Sequence, residues 1–138
     1  GNNSSPTWTS SRFIDTSTGA YLTTSGTWTN SSDRNRKENF ATIDPVSVLM
    51  KVVEMDITSW NYKVAPSEKH IGPMAQDFYG AFHLGDSDTS ISTVDGIGVN
   101  MAAVQGLYIL LQQKDQKIHD LETRLDALEQ RVNQMSGQ

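Results

Sequence analysis

Apolar residues recur at a seven-residue spacing through the last third of the chain. Val104, Leu111, Ile118, Leu125 and Val132 share one heptad position, a, and Leu107, Lys114, Leu121, Leu128 and Met135 share another, d. Nine of these ten are apolar, which predicts a helix capped by Asn100 and a coiled coil over 101–135. Charges at the flanking positions set the orientation: Lys117 and Arg124 at g lie five residues before Glu122 and Glu129 at e, the spacing of interchain pairs between parallel strands in register. Within Arg124-Leu125-Asp126-Ala127-Leu128-Glu129 the Arg stem can lie over the a and d residues while its head meets the e Glu of the next helix, an arrangement that favours three strands. A single helix folded back on its own domain calls for a wider apolar face than the stripe after Gln112 offers.

Upstream, the periods are shorter. Asp44 as N-cap, Pro45 at the first helical position, and Val46, Leu49, Met50 and Val53 on one face predict a helix ending near Met55 or Asp56. Ile57 to Val64 alternates and predicts a strand with Trp60, Tyr62 and Val64 on one face, followed by a return through Lys69-His70-Ile71-Gly72. Pro73 predicts the start of a short helix that buries Met74, Phe78 and Phe82, and Val94 to Val99 reads as extended or turning. Before all of this, Thr16-Ser17-Thr18-Gly19 between Arg12–Asp15 and Ala20–Thr23 predicts a hairpin with Gly19 in a left-handed position. The fold class is therefore α+β: a β-rich N-terminal segment, a small mixed domain, and a long C-terminal helix in a parallel trimeric coiled coil.

Composition sharpens the division. Fifteen of residues 1–31 are Ser or Thr and only Arg12 and Asp15 among them are charged, whereas Trp8, Phe13, Ile14, Tyr21, Leu22 and Trp28 supply too many aromatic and β-branched side chains for a disordered tail. Thirty-one residues cannot build a core alone, so this piece is expected to pair with other chains or to continue a structure upstream. At 138 residues, one core is expected in all, and a net charge of -5 argues against gripping nucleic acid through its phosphates. No unbroken run of 18 apolar residues occurs, and residues 1–11 lack the basic and apolar regions of a secretory leader, so neither a membrane span nor a leader is expected. With no cysteine, disulfides, thiol nucleophiles and cysteine-based zinc sites are excluded. His70, His83 and His119 lack metal-ligand spacing, and Asp86-x-Asp88-x-Ser90 lacks the Gly and distant Glu of a calcium loop; no metal and no cofactor are expected.

Candidate chemistry lies at the compositional boundary, in Ser32-Asp33-Arg34-Asn35-Arg36-Lys37-Glu38-Asn39-Phe40. A serine hydroxyl becomes a useful nucleophile when a base takes its proton. Lysine can serve if burial or a neighbouring cation such as Arg34 or Arg36 favours the uncharged amine. Ser32 and Lys37 make the minimal pair, five residues apart; the same residues also fit a charged linker. His70 and Gln76 fit either an oxyanion donor or a buried structural role, with the second favoured, and neither is counted as catalytic. Glycan hydrolysis would need two carboxylates across a cleft, and no pattern here places such a pair.

Taken in order, Ser32-Asp33-x-x-x-Lys37-Glu38-Asn39, Trp60-Asn61-Tyr62-Lys63, His70-Ile71-Gly72-Pro73-Met74-Ala75-Gln76-Asp77, Val94-Asp95 and the coiled coil resemble the C-terminal intramolecular chaperone domain of phage tailspikes and tail fibres, over residues 32–135. That family includes endosialidase tailspikes and extends to the myelin regulatory factor. One departure is Gly72-Pro73-Met74, where the family usually has Gly-Phe or Gly-Val before Ala-Gln. The resemblance implies a homotrimer that guides folding of an upstream fibre or spike in the same polypeptide and then cuts itself off at the motif serine. It implies Ser32 as nucleophile and Lys37 as general base of a single-turnover serine endopeptidase, acting in the host cytoplasm during phage assembly while the mature fibre goes to the virion tail. Residues 1–31 would then end the mature fibre and 32–138 form the chaperone and autoprotease. Ring size selects the bond: Ser32 Oγ reaches the Ser31 carbonyl through a five-membered ring and its own carbonyl only through a strained four-membered one. Cleavage at Ser31-Ser32 is thus expected in cis, and at Ser32-Asp33 only by another chain's serine. The alternative is a trimerisation foldon with the same architecture and no proteolysis.

Overall fold

Threonine and glycine shape the first of two compact units, Gly1–Thr42 and Ile43–Gln138, in a computed structural model that describes residues 12–137. Strand β1 (Arg12–Asp15) pairs antiparallel with β2 (Tyr21–Thr23), which pairs antiparallel with β3 (Trp28–Thr29). The expected hairpin forms, with Ile14 opposite Leu22, Asp15 opposite Tyr21, and a bulge between Arg12 and Ile14. Its turn is closed by Thr16, whose amide and hydroxyl both donate to the Ala20 carbonyl, and by Gly19 at φ +81°. The next turn repeats the device seven residues later: Thr23 N donates to the Thr27 carbonyl, Thr23 Oγ1 lies 2.8 Å from Ser25 Oγ, and Gly26 has φ +82°. The Arg12 guanidinium lies 3.7 Å from the centre of the Tyr21 ring and bonds Asp15 at 2.8 Å, a carboxylate that pushes the guanidinium pKa up from its ordinary value. No described residue of this unit is buried, in keeping with a piece too small for its own core. Trp8 lies outside the described residues.

In the second unit, Asp44 caps α1 (Pro45–Glu54) as its pattern predicts, its carboxylate accepting from the Val46 amide at 3.1 Å. Strand β4 (Thr58–Trp60) pairs antiparallel with β5 (His70–Gly72), Trp60 opposite His70. The predicted strand to Val64 is cut short: the Tyr62 carbonyl accepts from the Ala65 amide, which turns the chain before Pro66 and leaves Val64 94% exposed. Helix α2 (Ala75–Phe82) starts two residues after Pro73, with Met74 as N-cap and half-exposed; Phe78 is buried as expected. The Lys51 ammonium of α1 donates to the Ala81 carbonyl at 2.7 Å, placing a cation at the C-terminal end of α2.

Helix α3 (Thr93–Ser136) runs 44 residues, about 66 Å at 1.5 Å per residue. It begins well before Asn100, which is helical and no cap. The segment 94–99 is helical despite Gly96 and Gly98 because Val99 is buried; packing outweighs their low helix propensity. The core is small: Phe78, Val99, Ala102 and Ala103, with Gly106 at the crossing of α1 and α3. A Cβ on Gly106 would collide with the Pro45 carbonyl oxygen and lie 3.0 Å from Leu49 Cβ, so only glycine admits so close an approach. One 18-residue window of α3 has a mean hydropathy of 1.4 and meets the length and composition needed to cross a membrane, although no unbroken run of 18 apolar residues occurs in it. The buried face of that helix, Val99, Ala102, Ala103 and Gly106, is already occupied within the protein. Beyond Leu110 every described residue is exposed, including Leu111, Ile118, Leu121, Leu125, Leu128 and Val132; nearer its start, Val104 and Leu107 are exposed as well.

Candidate active site

A single turn of 3-10 helix, Arg34–Arg36, brings the candidate pair together. Asp33 caps it: its carboxylate accepts from the Asn35 amide at 2.9 Å and from Asn35 Nδ2 at 3.1 Å. The turn closes through Arg36 N to the Asp33 carbonyl and Lys37 N to the Arg34 carbonyl, both at 3.1 Å. Asp is suited to this start because its short side chain can accept from the backbone amide two residues ahead. Folding five residues back on themselves in this way sets the two side chains that flank the turn on one side, and Lys37 Nζ donates to Ser32 Oγ at 2.8 Å. Both residues are exposed.

A second pair stands beside the first. Arg36 Nη1 donates to Ser31 Oγ at 3.2 Å, so two adjacent serines meet two adjacent cations at the same five-residue separation. In the sequence Arg36 reads only as a charge near Lys37; the doubled spacing Ser31-Ser32 to Arg36-Lys37 is the signal that marks the second pair. Arg34 extends in another direction, its guanidinium 5.7 Å from the centre of the Phe40 ring. Asn39, at φ 56°, occupies the left-handed region that Asn tolerates better than most residues.

Chemically, the Ser–Lys contact has the reach of proton transfer, about 2.6–3.2 Å between heavy atoms. An amine nitrogen with a free lone pair at this distance can take a serine proton.

The remaining candidates lie in the second unit. His70 stacks on Trp60 with ring centres 4.7 Å apart, and both touch Tyr62, at 5.5 and 5.0 Å. His70 Nε2 and Trp60 Nε1 are shielded from solvent and have no hydrogen-bond partner among the described residues. Gln76 is exposed in the first turn of α2. Around Asp86 and Asp88, Ser87 Oγ bonds Thr89 and Ser90 hydroxyls, and among the described residues no cluster of His, Asp or Glu has metal-binding geometry. Lys117, Glu122, Arg124 and Glu129 are exposed along α3.

Residues 32–83 match the model of a peptidase family described as chaperone of endosialidase. The match opens on Ser32 itself and closes at the left-handed residue that ends α2, so it spans the Ser–Lys turn, α1, the β4–β5 pair and α2. No curated protein and no solved structure matches the chain.

Proposed function

Because residues 32–83 match the model of a family described as chaperone of endosialidase, we propose that the chain is a trimeric intramolecular chaperone that guides folding of a fibre or spike upstream in the same polypeptide and then severs itself at Ser31-Ser32. The observation that carries this reading is the 2.8 Å bond from Lys37 Nζ to Ser32 Oγ at the first residue of the family match.

In the step that follows, uncharged Lys37 takes the Ser32 hydroxyl proton as Oγ attacks the Ser31 carbonyl carbon. The tetrahedral intermediate collapses with cleavage of the C–N bond, and the proton held on Lys37 passes to the departing Ser32 nitrogen. An ester now links the Ser31 carbonyl to Ser32 Oγ. Water, giving a proton to Lys37, adds to that ester; Oγ leaves and recovers the proton, and the new Ser31 carboxylic acid passes its own proton to the free Ser32 amine, so a carboxylate and an ammonium remain. Lys37 ends as it began, and each chain turns over once. Both dyad residues are exposed in the single chain. Assembly supplies what is missing by covering them, excluding water and fixing Lys37 against Ser32.

Assembly itself is supported by the unpartnered a and d stripe. Val104, Leu107, Leu111, Ile118, Leu121, Leu125, Leu128 and Val132 are roughly half exposed or more, and parallel copies in register would cover them while pairing Lys117 with Glu122 and Arg124 with Glu129. Such a trimer would work in the host cytoplasm during phage assembly, with residues 1–31 kept in the virion fibre and 32–138 released. The exposure of the dyad also favours a second reading, a trimerisation foldon that never cuts.

Intact-mass measurement on freshly expressed protein separates them. Self-cleavage yields a fragment beginning at Ser32 in place of the 15.2 kDa chain. An uncut trimer leaves the foldon.

A further inference from the structure

Of the two serine–cation pairs, the proposed chemistry uses only Ser32 and Lys37. Arg36 cannot replace Lys37 as a base, because a guanidinium stays protonated at any pH a protein survives. Its partner is nevertheless the acyl residue of the bond to be cut: Arg36 Nη1 donates to Ser31 Oγ at 3.2 Å. Ser31 is also half-buried, whereas residues 32–40 are all exposed.

The hairpin turn upstream lies beside that contact. Gly19 sits at the corner between β1 and β2, and a Cβ there would run into Arg36 Nη1 and lie 3.5 Å from both Ser31 Cβ and Ser31 Oγ. Its φ of +81° is the left-handed conformation that the turn requires, which favours glycine there.

Resting on the self-cleavage reading, we infer that Arg36 is a positioning residue: its guanidinium holds the Ser31 side chain and thereby fixes the scissile carbonyl in front of Ser32 Oγ. Without that bond the near-attack geometry is seldom reached. The planar fork and permanent charge of Arg36 hold the acyl side still while Lys37 handles the proton.

The test uses the full chain made by cell-free synthesis, quenched in denaturant at intervals and read by intact mass, with oligomeric state followed by light scattering. Arg36→Met and Ser31→Ala are each expected to slow cleavage about tenfold while still trimerising, since displacement of the attacked carbonyl by a fraction of an ångström has effects of that order. The double variant should be no slower than either single one, because both remove the same contact. Arg36→Lys, which keeps a cation able to reach Ser31 Oγ, should cut faster than Arg36→Met. Cleavage of Arg36→Met at the unsubstituted rate, a double variant about a hundredfold slow, as expected for independent sites, or no recovery in Arg36→Lys would each overturn the clamp while leaving the dyad standing. A different result removes the dyad and the clamp together: an unsubstituted chain that stays whole, or Ser32→Ala that still cuts.

Discussion

Ser32 and Lys37 are five residues apart, a separation that an extended chain would spread over about 17 Å and that one capped 3-10 turn reduces to a hydrogen bond. Everything proposed for the chemistry follows from two atoms at that turn. Ser32→Ala removes the nucleophile and Lys37→Met removes the base while keeping its apolar stem; both are expected to give a whole chain by intact mass, with assembly unaffected. Lys37→Arg is the more discriminating change, because it preserves charge and reach yet supplies no base, and it too should remain uncut. The proximity of this pair is legible in the sequence, since Asp33 announces a turn between them. The Arg36–Ser31 contact is harder to read: an arginine in a charged run looks like solvated surface, and no local cap or turn signal singles out the one that bonds a serine five residues back.

Among the elements, those with a strong local signal form where the pattern puts them. Asp44 and Pro45 start α1, and Thr16 to Gly19 turns the first hairpin, because caps and turns are decided by neighbours in the chain. Elements decided by packing are less legible: alternation continues to Val64 after the ladder has ended at Trp60, and α3 begins at Thr93 through two glycines to bury Val99. Two substitutions test these accounts through the urea midpoint of the protein. Asp44→Ala should cost about 1 kcal/mol, the worth of a lost N-cap. Gly106→Val should cost about 1–3 kcal/mol or more, the range for overpacking, since its side chain would enter the Pro45 backbone and push α1 off α3. If Gly106→Val left the midpoint unchanged, the close crossing would not be a source of stability.

At the scale of the whole molecule, folding and chemistry are proposed to share one control, the association of three copies of α3. Leu121→Asp with Leu125→Asp places two charges per chain in the seam and should leave monomers in sedimentation equilibrium. With the dyad intact, those monomers should cut far more slowly than the trimer; cutting at the normal rate would show that assembly does not gate cleavage. In a longer polypeptide carrying its fibre, deletion after Ser31 should lower the yield of native trimer, since tethering three ends in register raises the local concentration of the strands that must pair. The fibre, once formed, should outlast its chaperone through the height of its unfolding barrier. The exposed stripe of α3 has a further consequence, in reaction order. A cut made within one chain but permitted only inside a trimer is unimolecular in its chemistry and third order in its onset at low concentration, so halving the amount of chain should lower the initial rate about eightfold if monomers and trimers equilibrate rapidly, by mass action. Release would then be a measure of how many copies are present together, and a solitary chain would keep its chaperone attached.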